Sequence, residues 1–235
     1  MSSTNSPRWY FSLRSPYSWI AGHLLRDRYP DLLARLEYRP FWEPDARSTA
    51  MLTALGGDFP YTAMSKAKHL YILRDVRRLA CGLGLPLVWP VDRDPVWEIP
   101  HLAYFAAADA GRGPEFVTRA SELRWEHGRN ICDPATMGDL AVDLGLPPER
   151  FANAADDEDY RARGARALLD VDRDGVFGVP FFVHGREKFW GVDRLGLFAT
   201  GAEAGKAPPE TDVPVPASTL EGGAGPDRGH AGGCG

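Results

Sequence analysis

The chain has 235 residues, 44% of them hydrophobic, and a formal net charge of -5 at pH 7. That is enough apolar material for one packed domain, or for one domain carrying a large insertion. Lysine and arginine are scattered along this mildly acidic chain, which excludes the basic stripe of a nucleic-acid binder. No apolar run reaches the ~20 residues that span a bilayer, so no membrane partner is expected.

The N-terminal MSSTNSPRWYF lacks the basic-then-apolar leader of a secreted protein, and the expected compartment is the cytoplasm. Residues 8–13, RWYFSL, read as an aromatic-rich strand. Ser15-Pro16 follows, a favoured N-cap and a favoured first helical residue. The next stretch, YSWIAGHLLRDRY, carries apolar residues at helical spacing and stops near Pro30. A second strand is predicted at about 35–42, which makes the opening a β-α-β unit.

The middle reads as helical. The spacing predicts helices over 62–84, 99–111, 114–127, 135–145 and 157–170, with an extended, proline-rich loop at 85–97. GVFGVPFFVHGREKFWG then reads as two short strands, 180–184 and 187–190, joined at Gly185, before a last helix near Val192. The order βαβ, helical block, ββα predicts an α/β protein: a thioredoxin fold over residues 7–201 with an all-helical insertion at about 45–170. From Ala202 to Gly235 the sequence turns rich in glycine and proline and poor in large apolar side chains, so a disordered tail is expected there.

The three cysteines, Cys81, Cys132 and Cys234, are odd in number and widely spaced, which argues against a disulfide framework or a zinc site. Cys81 and Cys132 read as small buried hydrophobes on helices. The histidines show no HxxxH or HExxH spacing, and most are expected at the surface or the core edge; His69 stands out for its place beside Lys68. The run Asp170 to Gly175 looks like the start of a calcium loop, but its twelfth position is Phe181 rather than glutamate. No metal is expected.

Three segments carry the chemistry: SLRSPYSWIA (12–21), GVFGVPFF (175–182) and FWGVDRL (189–195). With KHLYILRD (68–75) and GRNICDP (128–134), their order resembles the 2-hydroxychromene-2-carboxylate isomerase and kappa-class glutathione transferase branch of the DsbA-like thioredoxin superfamily. The resemblance covers about residues 8–200. Elementary chemistry agrees with it at Ser15. A helix N-terminus favours an anion, and a thioredoxin-fold oxidoreductase would place its low-pKa cysteine there. Serine forms no disulfide, yet its hydroxyl can donate a hydrogen bond to a thiolate that a cofactor brings. No nucleophile elbow accompanies Ser15, so it is not read as a nucleophile. The other reading of Ser15 is a plain N-cap.

The resemblance implies further roles. The Val179-Pro180 peptide is expected to be cis, with the Val179 backbone pairing with the peptide-like part of glutathione. Val192 and Asp193 are expected to hold its γ-glutamyl end, although Asp193 also suits the start of the last helix. Lys68 matches a lysine that contacts the cofactor, and reads equally as a solvated helix residue. Asp58 stands about where relatives carry an asparagine, and Trp97 stands where they carry another. These departures leave glutathione or mycothiol as the thiol; the composition suits a high-GC actinobacterial source, in which mycothiol can replace glutathione. Tyr17, Trp42 and Trp97 are expected to face the cleft between core and insertion, a flat apolar pocket for an aromatic or polyketide-like small molecule. The implied activity is isomerisation through reversible thiolate addition. A conjugating transferase and a silent binding protein are the alternatives. A homodimer is a further implication of the family.

Overall fold

A computed structural model describes residues 6–60 and 64–204. Strand β1 (Arg8–Phe11) alternates its aromatics across the sheet. Trp9 and Phe11 enter the larger core, and Tyr10 enters a smaller one on the opposite face with Phe181 and Val183. Each fully buried ring contributes roughly 1.5–3 kcal/mol. Helix α1 (Pro16–Arg28) starts where Ser15, in extended conformation, accepts the Ser18 N–H, and it stops ahead of Pro30. A short turn of helix, α2 (Pro30–Leu33), leads into β2 (Glu37–Pro40), which pairs parallel with β1.

Among the described residues, seven helices follow before the chain returns to the sheet: α3 (Ala46–Ala54), α4 (Lys66–Gly82), α5 (Glu98–Asp109), α6 (Gly113–Trp125), α7 (Pro134–Asp143), α8 (Pro148–Ala152) and α9 (Glu158–Arg173). Then β3 (Phe181–His184) pairs antiparallel with β1, β4 (Glu187–Trp190) pairs antiparallel with β3, and the order across the sheet is β2-β1-β3-β4. Gly185 turns the β3–β4 hairpin with φ 60°, a conformation that glycine adopts without steric cost. A single 3₁₀ turn (Val192–Arg194) opens into α10 (Leu195–Ala204). This is the thioredoxin βαβ…ββα order with an all-helical insertion between β2 and β3. No helix among the described residues is long and apolar enough to cross a membrane.

Several details differ from the sequence-based expectation. Helices α2, α3 and α8 have 4, 9 and 5 residues and carry too few turns for a clear apolar period. Helix α10 runs through Ala204 and buries Ala202, so order extends past the expected start of the tail; residues 205–235, Cys234 among them, lie outside the described residues. Cys81 is exposed rather than buried. The buried stripe of α4 is Ile72, Val76 and Ala80, and Cys81 lies one residue, about 100°, off it. Cys132 is buried, but in the turn between α6 and α7, where burial pushes its thiol up to about 12. The acidic run at 170–174 ends α9 and serves the fold: Asp170 pairs with Arg39 at 3.1 Å, while Asp174 takes both Arg8 and the Tyr10 hydroxyl.

Candidate functional site

The main cavity has a volume of about 830 Å³ and lies beside the N-terminus of α1. Its core-side wall is built from Tyr17, Val179, Pro180, Phe189, Trp190 and the Gly191–Arg194 turn. The opposite wall is one face of α4. Ser65 caps that helix by accepting the Lys68 N–H, and Ile72, Val76 and Ala80 lock it onto the Trp19–Ile20 side of α1. With that register fixed, Lys68, Tyr71 and Asp75, spaced three and four apart, fall on one face and line the cavity.

Six of the residues expected from the sequence meet here: Tyr17, Lys68, Val179, Pro180, Val192 and Asp193. The Val179-Pro180 peptide is cis. The Pro180 carbonyl accepts the Gly191 N–H at 2.9 Å, which ties the loop before β3 to the turn after β4. Gly191 has φ 97°, and a Cβ there would stand 2.7 Å from Asp193 Oδ1. The turn thus requires glycine so that Asp193 can take its position, paired with Arg194 at 2.9 Å.

Ser15 is 1% exposed and sits immediately behind this wall. Its Oγ accepts the Ser18 N–H at 3.3 Å and points its proton toward the Val179 carbonyl at 3.5 Å. The first contact makes it a working N-cap. The second is well beyond the 2.7–2.8 Å usual for hydroxyl donors, so the proton is weakly held and can turn to a better acceptor.

Three expected residues lie elsewhere. Trp42 is buried in the main core, stacked on His101 at 5.4 Å, with its Nε1–H donated to the buried carboxylate of Glu98 at 3.2 Å. That internal carboxylate satisfies the indole and draws it away from the cleft. Trp97 lies 5% exposed between two guanidinium groups, Arg14 at 5.4 Å and Arg124 at 4.9 Å, and borders a separate recess of about 310 Å³ with Glu43 and Asp45. Asp58 is exposed on the loop after α3, where its N–H donates to Asp172 at 3.3 Å.

The sequence reading also left parts of the wall unassigned. Asp75 accepts the Tyr17 hydroxyl at 2.8 Å and Arg78 at 2.8 Å. Burial pushes its carboxyl up, but Arg78 and the Tyr17 hydroxyl outweigh that and hold it below the usual carboxylate range. Lys68, Lys188 and Arg194 are cations on the wall against the carboxylates of Asp75 and Asp193; Arg194 pairs with Asp193, and Asp75 pairs with Arg78 from outside the lining. The balance favours an anionic ligand. Spacing on α4 could have pointed to Asp75; Lys188 needed the hairpin register.

Fold and site together define the class: a thioredoxin-fold protein whose helical insertion walls a cavity at the start of the first core helix. The chain belongs to the DsbA-like thioredoxin domain family, whose model matches residues 8–201. It is 27% identical over 197 residues to the 2-hydroxychromene-2-carboxylate isomerase of Sphingobium xenophagum, across 82% of this chain and 95% of that protein. The solved structure of a 2-hydroxychromene-2-carboxylate isomerase is similar with a TM-score of 0.66 at 21% identity, over 84% of this chain and 94% of that one. The cytosolic disulfide reductase DsbM of Pseudomonas aeruginosa, solved with GSH, is similar with a TM-score of 0.55 at 20% identity, over 84% and 97%.

Proposed function

We propose that this protein is a thiol-dependent isomerase of an unsaturated carbonyl compound, with glutathione, or mycothiol in its place, as the thiol. The observation that carries this reading is the convergence of Lys68, Val179, Pro180, Val192 and Asp193 on one cavity beside the Ser15-capped end of α1. The likeness to a 2-hydroxychromene-2-carboxylate isomerase over most of both chains supports the reaction class. That a similar fold was solved with GSH supports the thiol.

The aligned dipoles of a 13-residue helix place roughly half a positive charge at its start. Ser15 Oγ supplies a donor that can turn from Val179 to a sulfur anion. The thiolate adds to the carbon β to the carbonyl, the double bond becomes single, and the electron pair moves to the carbonyl oxygen. Rotation follows. The oxyanion then collapses, the double bond re-forms in the other geometry and the thiolate leaves, with no net change in protons. Lys68 and Lys188 line the cavity, and their charge suits acidic groups of thiol or substrate. Trp190 and Tyr71, 42% and 59% exposed, offer flat apolar surface to an aromatic or polyketide-like body.

The test is turnover of a cis-unsaturated aryl ketone with and without added thiol. Isomerised product of unchanged mass, formed only with thiol, is expected. A stable thiol adduct would make the protein a conjugating transferase, and full turnover without thiol would refute the mechanism.

A further inference from the structure

His101 lies outside the cavity, on α5 of the helical insertion, and it is completely buried. Its Nε2 lies 3.1 Å from the Leu13 N–H and 3.5 Å from Ser12 Oγ, and its Nδ1 lies 2.7 Å from the Trp97 carbonyl. A carbonyl only accepts and an amide N–H only donates, so the proton sits on Nδ1 and the lone pair on Nε2. The ring cannot swing, because it is stacked on Trp42 at 5.4 Å and meets the edge of Trp97 at 6.3 Å.

Leu13 is two residues before Ser15, in the turn between β1 and α1. Its other polar group is also taken: the Leu13 carbonyl accepts Trp125 Nε1–H from α6 at 3.2 Å. Both grips come from the helical insertion. The turn itself is short and closed, since Ser15 N–H donates to the Ser12 carbonyl at 3.1 Å and Arg14 N–H donates to Ser12 Oγ at 3.3 Å. Where Leu13 is held, Ser15 is held.

We propose that His101 is a positioning residue: as a neutral ring of the insertion, it grips the Leu13 N–H and thereby sets where Ser15 and the first turn of α1 stand relative to the cavity. Its effect on turnover rests on the isomerase reading above; its grip on the turn is tested without it.

Two variants of the full chain separate the grip from the packing. His101→Gln places an amide oxygen near the site of Nε2, within reach of Leu13. His101→Asn reaches only the site of Nδ1. Both lose the ring. Amide exchange at Leu13 should accelerate about tenfold or more in the asparagine variant and stay near the native rate in the glutamine variant. Thiol-dependent turnover should follow: kcat falls about tenfold or more in His101→Asn, KM for glutathione stays within about threefold, and His101→Gln recovers most of kcat. Trp125→Phe, which removes the second grip, should also lower kcat while glutathione binding persists. The native ring should show a pyridine-like Nε2 signal in nitrogen NMR at neutral pH.

Equal Leu13 exchange in the two His101 variants would overturn the grip. Loss of kcat in both in step with melting temperature would overturn the positioning role in favour of packing. If the native protein turns nothing over with thiol, the isomerase reading fails, while the Leu13 comparison still decides the grip.

Discussion

The two walls of the cavity are built in different ways. The base of the core wall is held through its main chain, with Val179 at 1% exposure, Pro180 tied to Gly191 by a 2.9 Å hydrogen bond, and a turn whose φ of 97° calls for glycine, while Trp190, Asp193 and Arg194 form its exposed rim. The α4 wall is side chains on a solvent-facing helix surface, with Tyr71 59% exposed and Asp75 held by Tyr17 and Arg78. A wall held through its main chain keeps its shape when side chains change. A wall of partly exposed side chains can vary its chemistry at small cost to the fold. On the proposed reading, the main-chain grip on the thiol belongs to the core wall, and the α4 wall, Lys68 apart, sets selectivity.

Breaking the core wall should cost most. Ser15→Ala removes the hydroxyl of the α1 N-cap and should lower thiol-dependent turnover about 100-fold, as loss of a single anion-stabilising donor does elsewhere, measured as kcat at saturating thiol. Gly191→Ala should follow. Its Cβ meets Asp193 Oδ1 and its backbone is strained for alanine, so stability should fall by about 1–3 kcal/mol by denaturant titration, and glutathione KM should rise.

The pH dependence comes next. Burial, with Arg124 and Arg14 adding to it against the bond to the Trp97 carbonyl, lowers the His101 pKa to about 3. Unfolded histidine titrates near 6.5. Between these values the unfolded chain binds the extra proton, so stability is full above about 6.5 and falls as the pH drops toward 3, by a few kcal/mol in all. His101→Gln should flatten that curve most clearly between about pH 6.5 and 5, because carboxylates with depressed pKa act below about pH 5. The smallest effect belongs to the α4 wall. Asp75→Asn should change stability by less than about 1 kcal/mol, because its Arg78 partner is 63% exposed, and should shift KM a few-fold between substrates.

The sequence revealed the core wall well and the α4 wall only in part. Ser15-Pro16 and Val179-Pro180 are local patterns whose meaning lies in the backbone, and a backbone role can be read from two adjacent residues. Lys68 was legible from its motif, but Asp75 became a wall residue only once Ile72, Val76 and Ala80 fixed the rotation of α4. Trp42 and Trp97 read as pocket aromatics because composition cannot tell which way an indole points; the buried Glu98 and the guanidinium groups of Arg14 and Arg124 decide it. His101 was hidden for a similar reason. Its partners are main-chain groups 88 residues away in sequence and four away, and no spacing rule finds the first.

The ionisation of bound glutathione tests the central claim most directly. Ultraviolet titration of thiolate absorbance, in native protein and in Ser15→Ala, compares the thiol pKa with the ~8.5 of a free cysteine thiol. The account predicts a bound thiol at least about one unit lower in the native protein and most of that shift lost in the variant. A bound thiol that titrates like the free one in both proteins, or a depression unchanged by Ser15→Ala, would contradict it.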